Sequence, residues 1–345
     1  MPSARQTIQT SSFRFSAGVV SLVAIALALI LACLFMGSSM LSVEEVGQAL
    51  LHRGNDTASF IVWETRLPAL LTALLAGAAL GIAGLIMQTV FVNPLADPGI
   101  LGVNAGASLG VAIVVLLFGG SVAIKGMVFS GFLLTVGAAL AGASLVLVLL
   151  TVCSALVRHH LTLLVVGVMI SYLTASIISL LNFYGTAQGI SAFVFWGFGD
   201  FGSLTSDRIA LLALAILLGA LLLFFQTKTL NALLMGHRYA TNLGISVRRS
   251  RTLLLFLAGW LSAVVTATCG PISFIGLAVP HIVRLCFRTA NHRHLLPLCA
   301  LAGAVLALFC HWVSQWPQTG ALPINALTPI LGVPIVLYLL IKGKH

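Results

Sequence analysis

The sequence predicts an all-α polytopic membrane protein of about ten transmembrane helices. Three observations carry that fold class. Of 345 residues, 60% are hydrophobic and only 7% are charged, against roughly 25% charged in an average soluble domain. The apolar residues fall into ten stretches separated by charges, Gly/Pro turns or polar clusters, most of them near the roughly 20 residues that cross a bilayer. The few charges divide unevenly between the two sets of loops. Together these exclude a soluble globule, a disordered chain and a nucleic-acid binder, despite a net charge of +10. A backbone in lipid must satisfy its own polar groups, and the alternating pattern of a barrel is absent, so every span is expected to be a helix.

The chain reads as a single transmembrane domain over 1–345, with spans at 16–36, 66–91, 100–119, 127–152, 161–184, 206–227, 252–270, 275–289, 295–315 and 324–341. The first is expected to be retained. Ile30-Leu31-Ala32-Cys33 partly resembles a lipoprotein cleavage box, but the apolar run before it is long and more spans follow. The second is rich in small residues (Gly77, Gly81, Gly84) and stops at an Asn93-Pro94-Leu95-Ala96 turn. Gly106, Gly110, Gly137 and Gly142 continue that pattern in the third and fourth. Small residues let helices approach closely in lipid, so tight packing is the first reading and a conduit wall the second. The stretch 185–205, with Phe193, Phe195, Trp196 and Phe198 among glycines, is expected to be a short helix dipping back. A turn at membrane depth, Gly270-Pro271-Ile272-Ser273, opens the short eighth span. Spans two and seven both stop at a Pro turn and run in opposite directions, a weak sign of an inverted repeat.

Placing both termini in the cytoplasm puts thirteen of the seventeen basic residues inside and six of the seven acids outside. Short loops follow the positive-inside bias, so this orientation is the expected one. The inner loop 228–251 is amphipathic and half apolar, which a simple connector does not need and a docking surface for a cytoplasmic partner does. The outer loop 37–65 is long and acidic and ends in Trp63-Glu64-Thr65-Arg66-Leu67-Pro68.

Chemistry-bearing patterns are sparse. Gln88, Asn104, Asn182 and His311 are the deepest polar residues, with no pair of ionisable groups mid-membrane, so no relay for an ion-driven pump is legible. No stretch matches the phosphate-binding GxxxxGK[ST] loop. Gly106-Ala107-Ser108-Leu109-Gly110 matches GxSxG but lacks a strand–turn–helix setting. His292-Arg293-His294 and His159-His160 lie in basic loops without a ligand set and read as solvated. The six cysteines read as small buried apolar residues. No catalytic residue, metal site or cofactor is expected.

Four segments resemble the FecCD/BtuC family, membrane subunits of bacterial ABC importers for iron–siderophores, haem and cobalamin. They are Arg66-Leu67-Pro68 through Gly84, Gln88, Asn93-Pro94-Leu95-Ala96 and Asp97 to Gly102; the loop with Leu234, Gly236, Ala240, Leu243 and Gly244; Gly270 to Leu277 with Pro280, His281 and Arg284; and Leu322-Pro323 through Thr328, Gly332 and Pro334. The resemblance implies a type II importer bundle in the bacterial inner membrane, acting as a homodimer or paired with a sister permease. The pathway would be lined by span five, the short outer helix and span ten. Cytoplasmic ATP-binding subunits would grip the 234–244 loop, and Asn93-Pro94-Leu95-Ala96 would lie at the cytoplasmic gate. A substrate-binding protein would dock outside at Arg66, and an iron–siderophore is the first substrate class, then haem and cobalamin. Ala69 stands where the family often has a second arginine, His311, Gln315 and Ala321 replace usual charges, and Asn325 replaces a usual glycine. Those replacements point to weaker or differently placed electrostatic docking. A stand-alone secondary transporter and an intramembrane hydrolase built on Ser108 are the readings of other classes.

Overall fold

A computed structural model describes residues 4–35, 37, 41–51, 56–124, 127–157, 160–317 and 320–342. Arg53, Lys125, Arg158, His159 and Lys344, used above to orient the chain, lie outside the described residues. The helices, in chain order, are α1 (Ala4–Phe35), α2 (Val43–Leu50), α3 (Asp56–Phe60), α4 (Leu67–Phe91), α5 (Val103–Ala112), α6 (Phe132–Leu156), α7 (His160–Tyr184), α8 (Ala187–Gly197), α9 (Ser206–Phe225), α10 (Thr227–Leu234), α11 (His237–Asn242), α12 (Val247–Cys269), α13 (Ile275–Phe287), α14 (His292–Ser314) and α15 (Ile324–Lys342). Among the described residues, seven apolar helical stretches are long enough to cross a membrane, and three shorter ones lie at Val103–Leu117, Ile275–Phe287 and Ile324–Pro334.

Two expectations need correction. Most of the described residues of the loop 37–65 are helical. Ser42 caps α2, its Oγ accepting from the Glu45 N–H at 3.2 Å while the Glu45 carboxylate accepts from the Ser42 N–H at 2.7 Å. The second apolar helix then starts early: α3 runs through a π-helical turn, Ile61–Arg66, straight into α4. Polar side chains at 56, 57, 59, 64 and 65 disguised this in the sequence. The fourth span also begins later than residue 127. Strands β1 (Ser121–Ile124) and β2 (Met127–Ser130) pair antiparallel, so the hairpin satisfies its own backbone, and α6 starts only at Phe132. Gly120 and Gly131, both at positive φ, bound it.

The core is built on α4, buried along nearly its whole length against α12, α13 and α14. Its glycines are points of backbone contact. A Cβ added at Gly77 would stand 2.3 Å from the Gly303 carbonyl oxygen, and at Gly81 2.4 Å from that of Cys299. At Gly84 it would stand 1.8 Å from the Gly276 carbonyl oxygen. Pro280, four residues after Gly276, has no N–H to offer that carbonyl, which leaves it free to meet the α4 backbone. Gly106 and Gly142 join α5 to α6 in the same way, whereas Gly137 touches nothing.

Polar staples close the periphery. Buried Arg251 at the start of α12 donates through Nε to Ser154 Oγ at 3.1 Å and reaches the Ser154 carbonyl and the Val157 carbonyl, the latter at 2.8 Å. It thus caps the C-terminal end of α6, where a cation suits the helix dipole. Asn104 on α5 accepts from Thr266 Oγ1 on α12 at 2.9 Å.

Replacing Gly84 by Ala should force α4 and α13 apart and lower stability by about 1–3 kcal/mol or more. We expect a clear fall in the apparent melting temperature of the purified protein, followed by size-exclusion chromatography after heating. Gly137→Ala, with open space around it, should leave the melting temperature unchanged.

Candidate gate and coupling region

The turn after α4 is held by its own side chains. Val92 takes a left-handed conformation that ends the helix, at φ 48°. Asn93 Oδ1 accepts from the Leu95 N–H at 2.9 Å, and the Ala96 N–H donates to the Asn93 carbonyl at 3.1 Å. Pro94 and Leu95 are exposed, while Ala96 and Asp97 are buried. Asp97 Oδ1 accepts from the Gly99 N–H at 2.8 Å. Burial pushes the Asp97 carboxyl up to about 6, with the Gly99 hydrogen bond pulling the other way.

Asp97 borders an apolar cavity of about 480 Å³ that brings this turn together with Ser171, Tyr172 and Ala175 of α7 and with Ser273, Phe274 and Leu277 around the start of α13. The turn at Gly270–Phe274 is therefore present, and its Ser273 and Phe274 line the cavity together with Asp97, Gly99 and Ile100 of the segment after the Asn93 turn. Phe274 is left-handed at φ 68°, a costly conformation for a bulky side chain. Gln88, in the last turn of α4, joins α4 to α13 beside this region: its Oε1 accepts from Arg284 at 2.6 Å and its Nε2 donates to the Leu277 carbonyl at 3.2 Å.

The loop 228–251 forms two short helices, α10 and α11. Leu230, Ala232 and Leu233 of α10 are buried, and so is Ala240 of α11. Leu234, Met235 at 71% exposure, Tyr239 and Leu243 at 57% present an apolar face outward. Gly236 at φ 104° and Gly244 at φ 78° make the turns on either side of α11. Ala240 therefore sits inside the fold, while Leu234, Met235, Tyr239 and Leu243 offer apolar contact area and Gly244 is exposed beside them.

At the opposite end Arg66 is 8% exposed and hydrogen-bonds the Leu34 carbonyl. It borders a polar cavity of about 390 Å³ with Asp200, His311 and Gln315. Two of the three positions expected to depart from the family thus line the same cavity as Arg66, whereas Ala321 is exposed and does not. Asn325 ties three elements together. Its N–H donates to the Phe198 carbonyl at 2.9 Å, its Nδ2 to the Gly197 carbonyl at 3.3 Å, and its Oδ1 accepts from Ser273 at 2.9 Å.

The FecCD transport family model matches residues 25–342. The chain belongs to the FecCD family. Among its relatives, the vitamin B12 import system permease protein BtuC of Salmonella paratyphi A is 37% identical over 82% of this chain and 84% of its own length. The BtuC protein of Citrobacter koseri is 36% identical over the same shares. A candidate ABC transporter permease of Methanocaldococcus jannaschii is 32% identical over 94% of both chains. A solved inward-facing structure of a candidate metal-chelate type ABC transporter superposes with a TM-score of 0.82, at 28% identity, covering 94% of this chain and 98% of that one. This FecCD permease is thus a multi-pass transport subunit of an ABC importer, with the all-helical type II bundle apart from the hairpin at 121–130.

The histidine reading is corrected. His292 is fully buried and hydrogen-bonded, and His294 stacks on Phe15 with ring centroids 4.6 Å apart. The sequence placed them in a basic loop because α14 begins at His292 itself, directly after the capping Asn291. No cluster that could hold a metal occurs among the described residues. Ser108 lies inside α5 with no nucleophile-elbow turn around it.

Asp97 gives the permease a pH dependence with a definite sign. The native carboxyl titrates at about 6 and the unfolded one at 3.8, so the native state binds more protons between those values. Stability falls as pH rises through that window and levels off above it, by on the order of 2–3 kcal/mol in all. Asp97→Asn keeps the acceptor for Gly99 and removes the charge. Its melting temperature should gain on wild type between pH 5 and 7.5; a gap independent of pH refutes the assignment.

Proposed function

We propose that this FecCD permease carries a bulky metal chelate across the bacterial inner membrane, driven by separate cytoplasmic ATP-binding subunits that dock on α10 and α11. The observation that carries the reading is the outward apolar face of Leu234, Met235, Tyr239 and Leu243, on an inner loop rich in arginine, in a chain that has no phosphate-binding loop of its own. Both termini are cytoplasmic in this reading, since that orientation places the excess of basic residues inside. Two permease chains, identical or sister, enclose the pathway between α7, α8 and α15. The Asn93–Ala96 turn and the cavity beside Asp97 form the inner gate.

A substrate-binding protein delivers the chelate at the outer face. Because Arg66 is turned inward to the Leu34 carbonyl, that docking relies little on its charge, and association with the binding protein should weaken only modestly with salt. Cobalamin is the substrate to test first, since relatives 36–37% identical are named vitamin B12 permeases. Iron–siderophores are the other arm, favoured by the metal-chelate transporter whose fold this chain shares at a TM-score of 0.82.

Gentle purification of the tagged chain from native membranes should retain a P-loop ATPase, identified by mass spectrometry. Changing Leu234, Met235 and Leu243 together to Ser should abolish that retention without lowering the melting temperature, since all three are exposed. Uptake of labelled cyanocobalamin and of a ferric hydroxamate, each with its binding protein, then assigns the substrate. A chain that purifies alone and moves solute into liposomes without ATP overturns the reading.

A further inference from the structure

The end of the fold that carries α10 also holds a chain of hydrogen bonds that runs from Asn291 and Asn231 near the surface to the buried pair His292 and Thr89. Asn231 on α10 reaches the start of α14. Its Oδ1 accepts from the His292 backbone N–H at 2.8 Å and lies 2.9 Å from His292 Nδ1. Its Nδ2 donates to Asn291 Oδ1 at 2.9 Å. The backbone N–H can only donate, so the Asn231 atom facing it is the carbonyl oxygen, and the amide orientation is settled. In the neutral imidazole Nδ1 then carries the proton, so Nε2 accepts from the Thr89 hydroxyl at 2.8 Å, in competition with the Leu85 carbonyl 2.9 Å from the same oxygen. His292 is fully buried and Thr89 nearly so. Thr89 lies in the last turn of α4, and that helix ends at Val92, against the Asn93 turn.

Three segments distant in sequence are thereby pinned in one direction. Leu230, Ala232 and Leu233 already bury α10, but apolar contact is non-directional and tolerates sliding. Buried hydrogen bonds do not, because leaving one unmade costs about 1–3 kcal/mol. We propose that Asn231, His292 and Thr89 are positioning residues that carry a displacement of α10 and α11 onto the Asn93–Ala96 turn. The proposal rests on the reading of α10 and α11 as the ATPase docking surface. It assigns the transmission step to side chains that touch neither nucleotide nor substrate.

Thr89→Val keeps the side chain's shape and removes the hydroxyl, while Thr89→Ser restores it. The variants are compared in the complete complex of permease, ATPase and binding protein. One readout is substrate carried per ATP hydrolysed, using whichever of cyanocobalamin and a ferric hydroxamate the wild type takes up. The other, independent of substrate, is the distance between spin labels at Asn242, exposed at the end of α11, and Val92, exposed beside the Asn93 turn, with and without nucleotide. In wild type the two labels should move together, so their distance holds. With Thr89→Val the distance should change on nucleotide binding and transport per ATP should fall about tenfold, with Thr89→Ser restoring both. A merely structural role would lower the melting temperature and leave the distance and the ratio alone. A wild-type ratio and a constant distance in Thr89→Val overturn the proposal, and so does loss of the ATPase from that variant. A wild-type chain that retains no ATPase refutes the docking reading instead.

Discussion

Backbone contact along α4 is the constraint on which the rest of the molecule depends. Lipid offers helices no hydrophobic reason to associate, so the bundle must gain its cohesion from close approach. Gly77 against Gly303, Gly81 against Cys299 and Gly84 against Gly276 supply it over three successive turns of one helix. Contact this close fixes rotation and sliding as well as distance. Only in that register does Gln88 face Arg284 of α13, and Thr89 face His292 of α14. The small residues and the polar side chains one turn further along are therefore a single device: the first sets the geometry and the second uses it.

The charges that remain inside are handled in a consistent way. Arg251 meets Ser154 and two carbonyls at the end of α6, Arg284 meets the Gln88 amide, and Arg66 meets the Leu34 carbonyl. Each guanidinium has a neutral oxygen fixed by the fold. Dipolar partners avoid the second desolvation that a buried carboxylate would add, a cost of several kcal/mol per ion. The same logic suits the cavity that Arg66 shares with Asp200, His311 and Gln315, since the guanidinium turns from it to the Leu34 carbonyl.

What the sequence displayed was what composition and periodicity encode. The apolar stretches, the small-residue seams of Gly77, Gly84 and Gly106, the short helix at Ala187–Gly197 and the turn at Gly270 were legible because each leaves a local signature. The beginning of the second span was hidden, since Asp56, Glu64 and Thr65 interrupt the apolar run while a π-turned helix passes through them. The second strand of the hairpin, residues 127–130, was read as the start of the fourth span because its residues are mostly apolar, though paired strands need no lipid. In the candidate site, the outward face of α10 and α11 was visible as amphipathicity, but Ala240 was placed on it and belongs inside. Asn231, His292 and Thr89 were invisible as a group. Their contacts span 61 and 203 residues, and no local pattern encodes a contact at that separation.

The same packing argument locates where the molecule can move. Helices joined backbone to backbone, as α4 is to α13 and α14, cannot shear without breaking van der Waals contact over their whole seam. Motion must then be taken up where helices are interrupted. The two interruptions that face each other, Val92 to Gly102 and Gly270 to Phe274, both hold left-handed residues and both border the cavity beside Asp97. Conformations of that kind are costly for Val and Phe and persist only while their surroundings hold them. Under the transmission proposed above, a force reaching the Asn93 turn through Thr89 would act next to backbone held in these costly conformations. The α4 seam, packed backbone to backbone, would then pass a small displacement of α10 on to that turn in place of dissipating it among loosely packed side chains.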